Sequence, residues 1–209
     1  MENSKMAENN YVCLSGVISE ECVFSHEVYG EGFYIFKTEV KRLSDNEDIL
    51  PVTVSERLID INSLKRGMTV NVMGQMRSYN HYSSKKNKLI LTTFAKEIEI
   101  GEDILANPNE IFLNGFICKT PVYRTTPFGR EITDLLIAVN RSYGKSDYIP
   151  CIAWGRNAKF AGGLEVGNNI EIWGRVQSRN YQKKLENDEI EERTAYEVSI
   201  SKIDLIDRR

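Results

Sequence analysis

Apolar and polar residues alternate with period two along much of this 209-residue chain, the pattern of strands with one face buried and one wet. Val70 and Val72, and again Ile170 and Ile172, sit between polar neighbours in this way. The pattern predicts strands over Tyr11–Ile18, Phe33–Leu43, Ile49–Val54, Thr69–Tyr79 and Leu89–Ile98. It predicts a second set over Ile111–Ile117, Ile132–Ser142, Tyr148–Trp154, Asn169–Tyr181 and Ala195–Ile206. Between the third and fourth strand of each set lie Ser55–Leu64 and Asn157–Leu164, each long enough for about two helical turns.

The two sets are versions of one text. Leu14-Ser-Gly16-Val-Ile18 matches Leu113-Asn-Gly115-Phe-Ile117, and Val40-Lys-Arg42 matches Val139-Asn-Arg141. Pro51 and Arg57 stand in line with Pro150 and Arg156. Leu64 to Gly74 then parallels Leu164 to Gly174, the offset having slipped by one residue. Collinear matches across both halves predict a tandem duplication. We therefore place a first domain over 1–104 and a second over 105–209, joined near Ile100–Asn109, where Gly101, Pro108 and two asparagines punctuate the chain. Five strands with a short helix between the third and fourth is the order of an OB fold, a five-stranded Greek-key barrel. The expected fold class is all-β, two OB folds in tandem. Gly16 and Gly115, each inside a first strand, suit the bend that closing such a barrel requires.

Charge separates the copies. Up to residue 104 there are 12 lysines and arginines against 16 carboxylates; the remainder holds 15 against 14. If one copy meets a polyanion, the second is the better suited. Cys13, Cys22, Cys118 and Cys151 form no C-x-x-C pair, and His26 and His81 are the two histidines, so no metal or other cofactor is expected. Cys13, Cys118 and Cys151 lie in apolar or alternating runs and are expected to be small buried residues. No apolar run approaches the ~18 residues of a membrane span, and the polar opening lacks a secretory signal, so a cytoplasmic protein is expected. Neither a phosphate-binding G-x-x-x-x-G-K nor a hydrolase G-x-S-x-G or H-E-x-x-H is present, which argues against an enzyme.

From Glu110 to Asp204 the second copy resembles the bacterial single-stranded DNA-binding protein family. The resemblance rests on Leu136-Ile-Ala-Val-Asn-Arg141, Ile152-Ala-Trp-Gly-Arg156, the run from Leu164 to Val176 and Ser178-Arg-Asn-Tyr181. It implies binding of single-stranded DNA in replication, recombination or repair, with bases stacked on aromatic rings spread over the barrel face. Matched position by position, the stacking rings would be Tyr143, Tyr148, Trp154 and Tyr181. Arg141, Arg156, Lys159, Arg175, Arg179, Lys183 and Lys184 are interleaved with them and would follow the phosphates.

The first copy departs from that pattern. At the four aromatic positions it carries Ser44, Ile49, Ser55 and His81. Its hairpin Tyr79-Asn-His81-Tyr82, followed by Lys85, Lys86 and Lys88, reads equally well as a clamp on DNA or as an exposed polar loop. The family's long Gly/Pro/Gln-rich tail with its acidic tip has no counterpart after Ile203, so a specialised member resembling the primosomal replication protein is expected. Family members commonly present four OB folds, which implies a homodimer here, with replication proteins as further partners and no membrane. The alternative is an assembly module that kept the fold without DNA affinity; RNA is a third ligand that OB folds accept.

Overall fold

The structure is a computed structural model and describes residues 9–42, 44, 46–83, 86–184 and 190–206, the side chains of 80–83, 86–88 and 183–184 excepted. Five strands, β1 (Asn10–Val28), β2 (Glu31–Lys41), β3 (Glu47–Ser55), β4 (Thr69–Ser83) and β5 (Lys86–Gly101), make one barrel. Five more, β6 (Asn109–Thr125), β7 (Glu131–Asn140), β8 (Ser146–Trp154), β9 (Asn169–Lys184) and β10 (Ile190–Leu205), make a second, with helix α1 (Gly155–Gly162) between β8 and β9. Each closes in the order one-two-three-five-four-one, the third and fifth strands running parallel. Both are OB folds, as the element order predicts. Alternation places Phe36, Thr38 and Val40 of β2, and Leu135, Ile137 and Val139 of β7, inward at no more than 4% exposure.

The first strand of each barrel runs well past its predicted end. Tyr11–Ile18 becomes Asn10–Val28, and Ile111–Ile117 becomes Asn109–Thr125. Register shifts between Ile18 and Glu20 and between Ile117 and Lys119 bend the strand, which then pairs with its neighbour as a solvated arm. Both faces of that arm are wet, so its sequence carries no alternation to betray it. Where β1 crosses β2, a Cβ on Gly16 would stand 2.2 Å from the Glu39 carbonyl oxygen; on Gly115 it would stand 2.7 Å from that of Ala138. Barrel closure requires glycine at both.

The two helical stretches fare differently. In the second barrel α1 forms, with Ala158 and Ala161 fully buried and Thr133 Oγ1 donating to the Ala158 carbonyl at 2.7 Å. Thr133→Val keeps the volume and removes this buried bond, and a urea titration is expected to show a loss of about 1 kcal/mol. In the first barrel no α-helix forms over Ser55–Leu64, which corrects the prediction; a single 3-10 turn spans Ile61–Ser63. Glu56 reaches away to accept from the Gly32 N–H at 2.8 Å, and the Asp60 carboxylate accepts from the Asn62 N–H at 3.0 Å. These local bonds, with β-branched Ile59 and Ile61, compete with the helical alternative. Cys118 is a second correction. It is half-buried rather than fully buried, because it sits where β6 leaves the barrel, and its thiol donates to the Leu136 carbonyl.

The barrels join through their first strands. β1 and β6 pair antiparallel with Val12 opposite Ile111, matching positions of the repeat, so a pseudo-two-fold axis passes between them. Asn10 clamps the N–H and C=O of Met76 on one side, and Asn109 clamps those of Val176 on the other, all at 2.8 Å. Val12, Leu14, Ile111 and Leu113 carry one apolar core through the seam.

Candidate nucleic-acid interface

Strand β8 sets out the outer face of the second barrel. Asp147, Ile149, Cys151 and Ala153 point inward, while Tyr148 and Trp154 lie outward at 48% and 37% exposure. Six residues apart on one strand, they are separated by about 20 Å. The Trp154 indole N–H donates to Ser199 Oγ on β10 at 3.2 Å, which fixes the ring. Tyr181 stands on β9 with the Arg179 guanidinium 5.7 Å from its centroid. Tyr143 is fully exposed at the tip of the β7–β8 hairpin, at φ 64°, a left-handed conformation that a tyrosine rarely adopts.

Beside Trp154 lies a groove of about 610 Å³, bounded by Arg124, Arg130, Arg175 and Arg179 of the second barrel and by Arg42 of the first. Glu197 lies among them and pairs with Arg179 at 3.7 Å, while Arg124 pairs with Asp134 at 2.7 Å. Of the predicted residues, Trp154, Arg175 and Arg179 come together here. Tyr143, Tyr148 and Tyr181 are exposed but outside this lining. Arg156 and Lys159 lie on α1, Lys159 paired with Glu131 at 3.2 Å. The side chains of Lys183, Lys184, Tyr82 and His81 lie outside the described residues. Arg42, Arg124 and Arg130 are additions to the expected set, although the repeat had already matched Arg42 to Arg141. Arg124 and Arg130 flank the turn at Thr126–Gly129, and that spacing across a hairpin is the signal for them.

Arg141 and Arg175 have a second task. Asp48, without accessible surface, accepts from Arg42 Nε and Nη2 at 2.8 and 2.6 Å, from Arg175 Nη1 at 3.1 Å and from the Ser178 N–H at 2.7 Å. Across the pseudo-axis Asp147, equally buried, accepts from Arg141, from Arg77 Nη1 at 3.0 Å and from the Ser78 N–H at 2.6 Å. Each carboxylate therefore holds one guanidinium from its own barrel and one from the other. Two cations share one anion, so each cluster retains a surplus positive charge. Burial, and then the like charge of Arg42, pull the Arg175 guanidinium below its ordinary value, while its hydrogen bond to Asp48 raises that of Arg42.

Residues 108–206 match the model of the single-strand binding protein family. The second barrel belongs to that family. The single-stranded DNA-binding protein 1 of Staphylococcus aureus is 35% identical over 83 residues, covering 36% of this chain and 50% of the relative. Single-stranded DNA-binding protein A of Bacillus subtilis is 34% identical over 83 residues, covering 36% and 48%. The chain thus spans about half the length of the curated relatives it matches. The crystal structure of the single-stranded DNA-binding protein from Thermus aquaticus superposes with a TM-score of 0.77 at 19% identity, covering 96% of this chain and 94% of that one. That likeness takes in both barrels of this chain and is one of fold. Among the described residues no three His, Cys, Asp or Glu side chains group to hold a metal, and no helix is long and apolar enough to cross a membrane.

Proposed function

We propose that the protein binds single-stranded DNA without enzymatic action, in replication or repair, with the Trp154 groove as its principal platform. The observation that carries this reading is a fixed, part-exposed indole in a groove edged by five arginines drawn from both barrels. Every base offers a π-face, so stacking tolerates any sequence, and the guanidinium groups supply contacts to the phosphates. Tyr148, Tyr143 and Tyr181 would extend the path across the barrel. Family membership of residues 108–206 supports the same ligand.

The test is a tryptophan fluorescence titration with oligo-dT and with a matched duplex, at low and moderate salt. Quenching by oligo-dT, a weak response to duplex and an affinity that falls with salt are expected. No response to either at low salt would remove the reading and favour an assembly module. Arg130→Ala and Arg179→Ala are each expected to lower the slope of log affinity against log salt by about one unit or less, with similar effect on all sequences.

We also propose a homodimer presenting four OB folds, in a cytoplasmic setting. The support is a depression of 390 Å³ at the seam, where Tyr11, Phe112 and Trp173 lie beside Glu110 and Glu171. A strictly monomeric mass in solution at micromolar concentration would exclude it.

A further inference from the structure

At the four aromatic positions the first barrel carries Ser44, Ile49, Ser55 and His81, which would make it a passive scaffold. Its surface says otherwise. A groove of 850 Å³ lies on it, related by the pseudo-axis to the Trp154 groove and lined by Tyr79, Phe94, His26 and Arg77 together with Arg141 and Lys145 of the second barrel.

Comparison of the two grooves shows compensating exchanges. In the second barrel the ring is Trp154 at the end of β8, and it bonds to the small Ser199 of β10. In the first barrel the end of β3 holds the small Ser55 and β5 holds the ring, Phe94. Phe94 and Ser199 are matching positions, since they pair with Gln75 and Arg175. The ring has crossed from the third strand to the fifth and remains on the groove wall. The fourth strand behaves likewise. Arg175 and Gln177 of β9 answer to Gln75 and Arg77 of β4, so the arginine has moved two residues along one face and still reaches the buried carboxylate. Tyr79 then stands where the second barrel has Arg179. The His26 imidazole stacks on Phe33 at 5.0 Å and 12°, and Phe33 lies 5.7 Å from Phe94, which extends the aromatic wall.

The charge is also of the right sign. The first copy carries more acid than base in sequence, yet among the described residues no carboxylate lines this groove. Asp147 lies beneath Arg77 and Arg141 and neutralises one of the two, and Lys145 adds another cation. Rings and cations thus line both grooves, at exchanged positions.

We propose that this composite groove is a second binding site for single-stranded nucleic acid, built from rings of the first barrel and cations of both. The inference rests on the reading of the Trp154 groove and extends it to two sites per chain. The experiment is isothermal titration of the full chain with an oligo-dT of about eight nucleotides, within the span of one OB fold. Two oligonucleotides per chain are expected for the unaltered protein. For Tyr79→Ala combined with His26→Glu, one is expected, with the affinity of the remaining site unchanged; both residues are on the first barrel and outside the Trp154 groove. A Tyr79→Trp variant places a reporter in the composite groove and should show extra quenching, which keeps the test open should the double variant fold poorly. One oligonucleotide per chain in the unaltered protein, or no added quenching from Tyr79→Trp, would overturn the inference and leave the Trp154 platform standing. No binding at all would remove both.

Discussion

Replacing Asp147 by alanine is expected to lower the free energy of unfolding by about 3 kcal/mol, the lower part of the range for breaking a buried ion pair. The carboxylate has no accessible surface and receives Arg141, Arg77 and the Ser78 N–H. Its removal leaves two guanidinium groups facing each other without their common anion, and one backbone donor unsatisfied. Each arginine keeps about a quarter of its side chain exposed, so water recovers part of the loss. The two cations come from different barrels, so their repulsion also pushes the barrels apart. Chemical denaturation followed by tryptophan fluorescence, which reports the second barrel alone, and by far-ultraviolet circular dichroism should give coincident curves for the unaltered protein and separated ones for the variant. Asp48→Ala should behave alike, since Asp48 holds Arg42 and Arg175 in the same way. A loss below about 0.5 kcal/mol with coincident curves would show that the seam is held by β1–β6 pairing and its apolar core instead.

Trp154→Ala is expected to weaken oligo-dT binding by about 1–3 kcal/mol, roughly fivefold to 150-fold, with little change in the dependence on salt. The indole contributes a surface for stacking and carries no charge, so the number of ions released on binding should hold while the affinity falls. Duplex DNA hides its base faces and should be unaffected. Ser199→Ala, which removes the oxygen that fixes the indole, should give a smaller loss of the same kind. Because Trp154 is one of two tryptophans, binding by the alanine variant is best followed by anisotropy of a labelled oligonucleotide. Equal loss of affinity for duplex and single strand would count against stacking.

Much of the fold was legible in the residues themselves. Period-two alternation located ten strands, and collinear matches such as Gly16 with Gly115 revealed two versions of one barrel. These signals are local, and each barrel obeys them because an inward face must be apolar whatever lies beyond it. The exceptions are instructive. The wet arm of β1 beyond Ile18 has no buried face and so left no pattern. The stretch after Ser55 has the length of a helix, but Glu56 and Asp60 found backbone donors of their own.

The candidate site was legible in its rings and less so in its charges. Tyr143, Tyr148, Trp154 and Tyr181 are all exposed, as a family-matched motif implied, though the structure brings Trp154 alone of these four into the arginine groove. Position by position, the first barrel looked stripped. Comparison of single positions misses an exchange in which Ser55 and Phe94 divide between them what Trp154 and Ser199 divide the other way.

Strand order, the repeat, the glycines on which closure depends and the family resemblance of the second barrel can all be read along the chain, because each is written in neighbouring residues or fixed spacings. The tertiary structure alone decided which charges serve which groove. Arg42 of the first barrel shares a groove with Trp154 of the second, and Arg141 of the second shares one with Tyr79 of the first, because the antiparallel pairing of β1 with β6 turns each copy toward the other's groove. Such cross-barrel partners lie 62 and 112 residues apart, and no period or motif along the chain connects them; the two buried carboxylates at the seam do.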